Sequence, residues 1–234
     1  MTPVVEAVGV GKTYVGGDGT PIRVLDGLDL AIYPAQFLAV VGASGAGKST
    51  LLHMLGALDT PDQGQVRIEG TDVGTLSIEA RARLRNVRIG FVFQFHHLLR
   101  DFTAVENVMM PLLIAGVPSA EAEARAAAVL GQLGLGARLR HYPAQLSGGE
   151  QQRAAVARAV VPAPAVVLAD EPSGNLDPHN AAVLHEVLAG VRDQFQTAVV
   201  VATHNRDLAN RADQILRLAD GRLSVESIAA DAGP

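Results

Sequence analysis

The stretch "FLAVVGASGAGKSTLLHMLGAL", residues 37–58, contains three consecutive patterns. An apolar run from Phe37 to Val41 comes first, a glycine-rich loop follows over residues 42–50, and an apolar helical pattern runs from Leu51 to Leu58. The loop has the spacing G-x-x-x-x-G-K-[ST], after a strand and before a helix, which is the context that this motif requires. An accidental glycine-rich turn would match this spacing on the order of once in a hundred chains of this length. The stretch therefore predicts a phosphate-binding loop.

The residue types in this loop suit a nucleoside triphosphate. Glycine lets successive backbone N–H groups converge on phosphate oxygens, and the start of a helix adds positive potential. Lys48 would neutralise phosphate charge, and the Ser49 hydroxyl would bind Mg²⁺. We therefore predict that the triphosphate is bound by Gly42, Ala43, Ser44, Gly45, Ala46, Gly47, Lys48, Ser49 and Thr50.

The rest of the chain indicates an α/β fold around this loop. Short β-branched runs alternate with helical patterns, and the runs are "RIGFVF" (88–93), "AVVLA" (165–169) and "TAVVVAT" (197–203). These runs are apolar throughout, which is typical of strands in a parallel sheet that is covered on both faces. The sequence thus predicts a P-loop NTPase fold of the RecA-like type with a mainly parallel sheet.

Strand-like segments without intervening helices precede and follow the loop, at residues 4–15, 23–33 and 64–70. They predict a small antiparallel β flank at the N-terminal side. We expect a single domain over residues 1–234, whose tail "AADAGP" (229–234) is frayed.

Between about 95 and 160 the sequence becomes rich in alanine, which predicts a helical subdomain inserted in the core. Ser119 is the expected N-cap of one of its helices, with Glu121 and Glu123 in the first turn. Gly134 or Gly136 should end that helix.

Composition narrows the function classes. The formal net charge of −5, without a basic stripe, argues against nucleic acid or an anionic membrane surface as a partner. The absence of cysteine excludes disulfides, thiolate metal sites and cysteine nucleophiles. No secretory pattern opens the chain, and its apolar runs are far shorter than the roughly 20 residues of a membrane-spanning helix. We therefore expect a cytosolic protein whose membrane role runs through another subunit.

An acidic pair follows the apolar run "AVVLA". Asp170 and Glu171 would lie at the carboxyl edge of the sheet, where α/β folds bind ligands. Asp170 would hold Mg²⁺, and Glu171 could orient and deprotonate an attacking water. Alone, such a pair is more often a helix cap or a solvated turn. Beside the phosphate loop it indicates hydrolysis.

A second glycine-containing helix start lies at "LSGGEQQR", residues 146–153. Ser147, Gly148 and Gly149 come directly before a helical pattern that runs to Val160, so an anion could approach the backbone N–H groups. An N-cap serine with flexible glycines is the plainer interpretation, and it would be favoured if the phosphate loop were absent.

These motifs, in this order, resemble the ATPase subunits of ATP-binding cassette (ABC) transporters over nearly the whole chain. The resemblance implies that Tyr14 stacks on adenine, that Gln94 is the Q-loop glutamine beside Mg²⁺, and that His204 contacts the γ-phosphate. "SGNLD", Ser173 to Asp177, matches the D-loop. Two positions differ from the common pattern of the family, because Ser173 replaces threonine and Asn205 replaces aspartate.

The resemblance also implies a head-to-tail dimer. Each ATP would lie between the phosphate loop of one copy and the signature segment of the other copy, which comprises Ser147, Gly148, Gly149 and Glu150. Hydrolysis would then let the two copies separate.

The stretch "QFHHLLRDF", residues 94–102, follows the Q-loop glutamine, and in the family this stretch faces the membrane subunits. The residues expected to dock there are Phe95, His96, His97, Leu98 and Leu99. Adjacent histidines on an extended chain point apart, which disfavours a zinc site. A core role is the alternative for the two leucines.

Residues 91–113 most resemble the ATPases of lipoprotein-releasing ABC transporters, which act at the cytoplasmic face of the inner membrane of Gram-negative bacteria with LolC- and LolE-like membrane subunits. The resemblance implies that the cargo does not touch this subunit. Three alternatives stay open: macrolide-efflux or cell-division ABC systems, a DNA-repair type ATPase, and a small-molecule kinase. The DNA-repair enzymes carry coiled-coil arms or zinc modules that this sequence lacks, and a kinase leaves "LSGGE" unexplained.

Overall fold

The computed structural model describes residues 1–226, so the tail expected to be frayed lies outside the described residues. In chain order the elements are β1 (Val5–Val15), β2 (Pro21–Ile32), β3 (Phe37–Val41), α1 (Lys48–Leu55), β4 (Gln63–Ile68), β5 (Thr71–Asp72), α2 (Ile78–Arg88), β6 (Ile89–Phe93), α3 (Ala104–Ile114), α4 (Ser119–Gln132), α5 (Gly148–Val160), β7 (Val166–Asp170), α6 (Pro178–Phe195), β8 (Ala198–Ala202), α7 (Arg206–Ala209), β9 (Gln214–Ala219) and β10 (Arg222–Glu226). Short 3₁₀ turns lie at Val73–Thr75, Gly136–Arg138 and Pro143–Gln145.

The central sheet has six strands in the order β10-β9-β3-β8-β7-β6. The pairs β9-β3, β3-β8, β8-β7 and β7-β6 are parallel. Within residues 1–226, the one antiparallel pair of this sheet is β9 with β10. All residues of β3 and β8 are buried, as expected for strands with both faces covered. The predicted mainly parallel sheet is confirmed.

The N-terminal flank is a four-stranded sheet in the order β2-β1-β4-β5, with antiparallel pairing throughout. Its apolar side packs with α1 against one face of the central sheet, and Leu25, Ile32 and Val66 are fully buried there. The predicted antiparallel flank is confirmed.

Helices α3, α4 and α5 lie between β6 and β7 in the chain, and together with α6 they share the core on the other face of the central sheet. The close approach of α5 to β6 depends on Gly90, because a Cβ at this position would overlap the Ala159 carbonyl oxygen. The division into one domain with a helical subdomain at about 95–160 stays a prediction.

Two helix boundaries differ from expectation. The first helix begins at Lys48 rather than Leu51, and it ends at Leu55, so the phosphate loop passes into α1 without a spacer. Ser119 is the first helical residue of α4 and not its N-cap. The N-cap is Pro118, which makes no side-chain cap, because its ring has no hydrogen-bond acceptor. Gly134, with a left-handed φ of 75°, follows the end of α4 as predicted.

Helix α2 was not foreseen. Its sequence, "IEARARLRNVR", has many arginines and no continuous apolar stripe, and this helix has no buried residue along its whole described length. Its local start signal is clear in the structure, since the Ser77 hydroxyl accepts a hydrogen bond from the Ala80 N–H.

Gly90→Ala should destabilise the fold by about 1–3 kcal/mol, because the added methyl must push α5 away from β6. Gly131→Ala is the matched control, since this position in α4 has open space around it and alanine favours helix by up to about 1 kcal/mol. Urea unfolding followed by far-UV circular dichroism measures both changes. Equal stability of the two variants would contradict the packing role of Gly90.

Candidate nucleotide-binding site

The carboxyl ends of the parallel strands meet at one edge of the central sheet and form a cleft with a volume of about 610 Å³. The phosphate loop follows β3, Gln94 follows β6, Asp170 ends β7, and His204 follows β8. Residues predicted from distant parts of the sequence are thus brought together: the cleft is lined by Tyr14, Ser44, Gly45, Gly47, Lys48, Ser49, Thr50, Gln94, Asp170, Glu171 and His204. The cleft is a ligand site of the kind expected at this sheet edge.

The phosphate loop has the backbone that its glycines predict. Gly45 and Gly47 have left-handed φ values of 78° and 99°. Gly42 passes so close to β9 that a Cβ there would lie 2.5 Å from the Leu218 carbonyl oxygen. The Lys48 ammonium is largely buried and donates hydrogen bonds to the carbonyl oxygens of Gly42 and Ala43 at 3.0 and 3.1 Å. The cation therefore lies across the loop, where an anion would be neutralised.

Three oxygen-bearing side chains line one wall of the cleft: the Ser49 hydroxyl, the Gln94 amide and the Asp170 carboxylate. Register places Asp170 opposite Phe93 on one side and Ala202 on the other. The Gln94 Nε2 donates to the Asn175 Oδ1 at 2.9 Å, so the amide nitrogen is occupied by a protein partner. Hydroxyl, amide and carboxylate oxygens are the hard ligands that Mg²⁺ prefers, so this donor set fits the ion.

Glu171 is held by two residues that follow β8. Its Oε2 accepts hydrogen bonds from the Thr203 hydroxyl at 3.1 Å and the His204 N–H at 3.4 Å, and its Oε1 lies 2.9 Å from His204 Nδ1. The backbone of Glu171 has a positive φ of 43°, which is uncommon for a residue with a side chain. The turn aims the carboxylate into the cleft that the phosphate loop borders.

The contact with Glu171 decides the tautomer of His204. A carboxylate only accepts hydrogen bonds, so Nδ1 carries the proton in this contact and Nε2 of the neutral ring is an acceptor. A hydrogen bond from Nε2 to a phosphate oxygen therefore requires either an imidazolium or release of Nδ1 from Glu171. The two side chains are thus in direct contact at the edge of the cleft.

Tyr14 lies at the mouth of the cleft, with 39% of its surface exposed. Its hydroxyl donates to the Asp59 Oδ2 at 3.2 Å, and the Lys12 Nζ lies 5.4 Å from the ring centroid. Lys12 also pairs with Asp59 at 2.9 Å. Asp59 and Lys12 thus hold the ring in place, and the ring lines the cleft. Lys12 and Asp59 were missed by the sequence analysis, although a lysine two residues before the aromatic was visible.

The signature segment lies at the start of α5, and residues 147–150 are not among the described residues that line the cleft. Ser147 and Glu150 form a capping box, while Ser147 and Gly148 are exposed. Gly149 is buried against Asn180 on α6, and a Cβ at this position would overlap the Asn180 side chain. The second glycine therefore serves packing within the chain, and the exposed residues at this helix start are Ser147 and Gly148.

The D-loop is anchored at both ends. Asp177 is the N-cap of α6 and accepts hydrogen bonds from the Asn180 N–H and Nδ2, which keep the pKa of Asp177 below its usual value. Ser173 is buried, and its hydroxyl lies 2.9 Å from Nε2 of the buried His185. His185 was missed by the sequence analysis, because one polar residue in a helical apolar pattern gives no signal of its partner.

Helix α5 holds the stretch that follows Gln94. The buried Gln152 donates to the Phe93 carbonyl oxygen at 2.7 Å. The Arg158 guanidinium donates to the carbonyl oxygens of His97 and His96 at 2.8 and 2.9 Å. His97 has a positive φ of 47°, so the chain turns sharply between these contacts.

The residues expected to dock on membrane subunits do not all lie on the surface. Phe95, His97 and Leu99 are exposed, and His96 is half-buried. Leu98 is 6% exposed and belongs to the core under the helical segment, so the alternative core role is correct for Leu98. The physical reason is the turn at His97, which directs neighbouring side chains to opposite sides.

Asn205 is the N-cap of α7, and its Oδ1 accepts a hydrogen bond from the Leu208 N–H at 3.1 Å. Asparagine and aspartate cap helices about equally well. The replacement at this position therefore leaves the local structure intact.

This fold and cleft define a P-loop nucleoside triphosphatase. The ABC transporter family profile matches residues 25–174. The chain therefore belongs to the ABC transporter family, and it is an ATP-binding, ATP-hydrolysing subunit.

Two relatives and one solved structure illustrate the similarity. The lipoprotein-releasing system ATP-binding protein LolD of Hahella chejuensis is 51% identical over 223 residues, covering 95% of this chain and 96% of that protein. LolD of Geobacter metallireducens is 51% identical, with 95% and 99% covered. A dimeric ATP-binding cassette in a post-hydrolysis state, bound to ADP and Pi, superposes with a TM-score of 0.85 at 35% identity, covering 95% of this chain and 97% of that one.

The similarity thus extends over nearly all of the chain and of its relatives. Within residues 1–226, none of the helices combines the length and the apolar character needed to cross a bilayer.

The buried His185 should make stability depend on pH. Burial, with Arg211 nearby, lowers the pKa of His185 below 6.5, against a smaller opposite effect of Asp207 and Glu186. The unfolded chain then binds more protons, so stability is present above about pH 6.5 and decreases as the pH falls through that value. His185→Gln keeps a hydrogen-bond donor near Ser173 without titrating.

We expect a shallower loss of the free energy of unfolding in His185→Gln than in the wild type between about pH 7.5 and 5.5, measured by urea unfolding. The comparison with the variant isolates the contribution of His185, because the rest of the sequence is the same in both proteins. Parallel pH profiles would show that His185 does not titrate on folding.

Proposed function

We propose that this chain is the ATP-hydrolysing subunit of a lipoprotein-releasing ABC transporter, and that it binds ATP with Mg²⁺ in the cleft at the carboxyl edge of the central sheet. The observation that carries the proposal is the convergence of Lys48, Asp170, Glu171 and His204 on this cleft. The similarity to LolD proteins along nearly the whole chain supports the transport process.

In this proposal each residue of the cleft has one role. Tyr14 stacks on the base, residues 42–50 surround the phosphates, and Lys48 turns from the loop carbonyls toward phosphate oxygens. Ser49, Gln94 and Asp170 would hold the Mg²⁺. When bound, the ion supplies charge neutralisation and polarisation of the γ-phosphate.

Glu171 is the general base of the proposed hydrolysis. Its carboxylate accepts the proton of a water that attacks the γ-phosphorus, and Thr203 keeps one of its oxygens in place. As Glu171 takes up the proton, its contact with His204 Nδ1 weakens, which frees His204 to donate to the phosphate oxygens. Proton transfer and charge stabilisation are thereby linked.

The proposed working unit is a head-to-tail dimer of two copies. The support is that Ser147 and Gly148 form an exposed helix start outside the cleft, so that an anion bound there comes from a second molecule. Gly174 of the D-loop lines the cleft, and Ser173, Gly174 and Leu176 line a second pocket that shares Glu171 and His204 with the cleft. On this proposal the D-loop, including Asp177, would meet the other copy there. The solved cassette with 35% identity is dimeric with ADP and Pi bound, which supports a dimer of this chain.

Glu171→Gln should bind ATP, hydrolyse it about 10²- to 10⁴-fold more slowly and accumulate as an ATP-bound dimer, since the amide cannot accept the proton. Lys48→Ala separates binding from hydrolysis, because it should lose ATP affinity and remain monomeric. Phosphate release and light scattering after size-exclusion chromatography measure the two effects. Wild-type turnover in Glu171→Gln would disprove the assignment of the base.

Membrane subunits are the proposed second partner. An apolar groove of about 370 Å³ lies between α2, β6, α3 and α5, and its walls include Phe91, Phe93, Met110 and Ile114. Arg158, which also lines the groove, ties it to the stretch 95–99. We call this groove together with the exposed residues Phe95, His96, His97 and Leu99 the docking face. The mixture of apolar and charged groups suits a protein partner.

On this proposal the chain is peripheral at the cytoplasmic face of the inner membrane of a Gram-negative bacterium, bound to LolC- and LolE-like subunits. The lipoprotein cargo contacts those subunits and not this chain. A related macrolide-efflux or cell-division transporter is the nearest alternative, since such ATPases share the nucleotide motifs. The net charge of −5 and the lack of cysteine disfavour a DNA-repair ATPase.

Ile114→Asp should reduce co-purification of the membrane subunits from native membranes at least about tenfold, because it places a charge in the apolar groove. Val225→Asp on β10 is the matched control, since the exposed fractions are similar, 68% for Ile114 and 65% for Val225. Quantitative mass spectrometry after gentle detergent extraction measures both. Equal recovery would remove the groove from the docking face, and recovery of a division or efflux permease would favour the alternative transporter.

A further inference from the structure

The proposed ATP-facing end of α5 carries a carboxylate. Glu150 is in the first turn, its Oε2 accepts the Ser147 N–H at 2.8 Å, and the Ser147 hydroxyl accepts the Glu150 N–H at 3.2 Å. This capping box orients Ser147. It also places a negative charge at the helix end that a triphosphate of the second copy must approach, which would oppose binding.

Arg138 donates a hydrogen bond to the other carboxylate oxygen of Glu150. It comes from the 3₁₀ turn Gly136–Arg138, and its Nε donates to the Glu150 Oε1 at 2.8 Å. The hydrogen bonds from Arg138 and from the Ser147 N–H lower the pKa of Glu150 to about 2. Glu150 therefore stays ionised at neutral pH and cannot lose its charge by taking up a proton when phosphate approaches.

We propose that Arg138 is a positioning residue of the signature segment, which neutralises Glu150 and so lets the end of α5 accept the triphosphate bound to a second copy. The inference rests on the head-to-tail dimer of the proposed function. Glu150 orients Ser147 through the capping box, and Arg138, which lies outside the signature segment, compensates the charge of Glu150.

The position of the pair argues against a purely structural role. The Arg138 side chain is 44% exposed and the Glu150 side chain 19%, and ion pairs this accessible contribute little to folding. The same segment contains a second such pair, Arg140 with Glu123, which does not involve the signature. Arg140 is therefore a control with the same charge, nearly the same sequence position and a different partner.

The test uses the full-length chain in the Glu171→Gln background, where the ATP-bound dimer accumulates. The ATP concentration that gives half-maximal dimer is measured by light scattering at fixed protein concentration. Arg138→Gln should raise this concentration about tenfold or more, because an unpaired carboxylate then faces the phosphates. Arg140→Gln should leave it within about twofold of the parent.

The decisive variant is Arg138→Gln combined with Glu150→Gln. Glutamine keeps an oxygen for the Ser147 N–H but has no charge, so the double variant should return to within about threefold of the parent. A merely structural role of Arg138 would not be rescued in this way. If Arg138→Gln does not fold, as judged by thermal unfolding, Arg138→Lys replaces it and should dimerise within about threefold of the parent.

Each result supports or overturns the proposed role of Arg138. An unchanged Arg138→Gln, a failure of Glu150→Gln to restore dimerisation, or an equal effect of Arg140→Gln overturns the role of Arg138 while the dimer itself stands. If Arg138→Lys is the variant used, a tenfold or larger rise in the ATP concentration for half-maximal dimer also overturns the role of Arg138. If the parent Glu171→Gln stays monomeric with ATP, the proposed dimer fails, and the inference fails with it.

Discussion

The parallel hydrogen bonding of β7 with β6 on one side and β8 on the other is the interaction on which the site depends. It aligns Phe93, Asp170 and Ala202, so the residues that follow these positions emerge side by side at one edge. Gln94, Glu171 and His204 are far apart in the chain and reach one cleft only through this register. A shift of one residue in any strand would turn a buried side chain outward and remove the acidic pair from the phosphate loop.

A second set of contacts joins the cleft to the two surfaces that we propose meet other molecules. Gln152 and Arg158 of α5 hold the chain on both sides of Gln94, and Gln94 itself bonds to Asn175 of the D-loop. The start of the same helix carries the signature segment, where Gly149 packs against Asn180 at the start of α6. These contacts form one contiguous path of the kind that can couple partner binding to the nucleotide site.

Glu171 and His204, the proposed catalytic pair, are held in place by ordinary hydrogen bonds. Thr203 is fully buried, and its hydroxyl both donates to Glu171 and accepts the Asn205 N–H at 3.0 Å. The hydroxyl thereby links Glu171 to Asn205, the residue after His204 and the N-cap of α7. Because Glu171 has a strained positive φ, these surrounding contacts, and not local preference, keep its carboxylate in place.

The sequence alone determined the phosphate loop, the acidic pair and the buried strands typical of a mainly parallel sheet, because each is a pattern of residues that are adjacent in the chain. Periodicity and glycine spacing carry that local information. Tertiary structure decided which side chains face one another: the burial of Leu98, the pairing of His185 with Ser173, the support of Tyr14 by Lys12 and Asp59, and the contact of Arg138 with Glu150. These contacts join segments whose relative placement follows from packing of the whole core, and a local pattern contains no information about a distant partner.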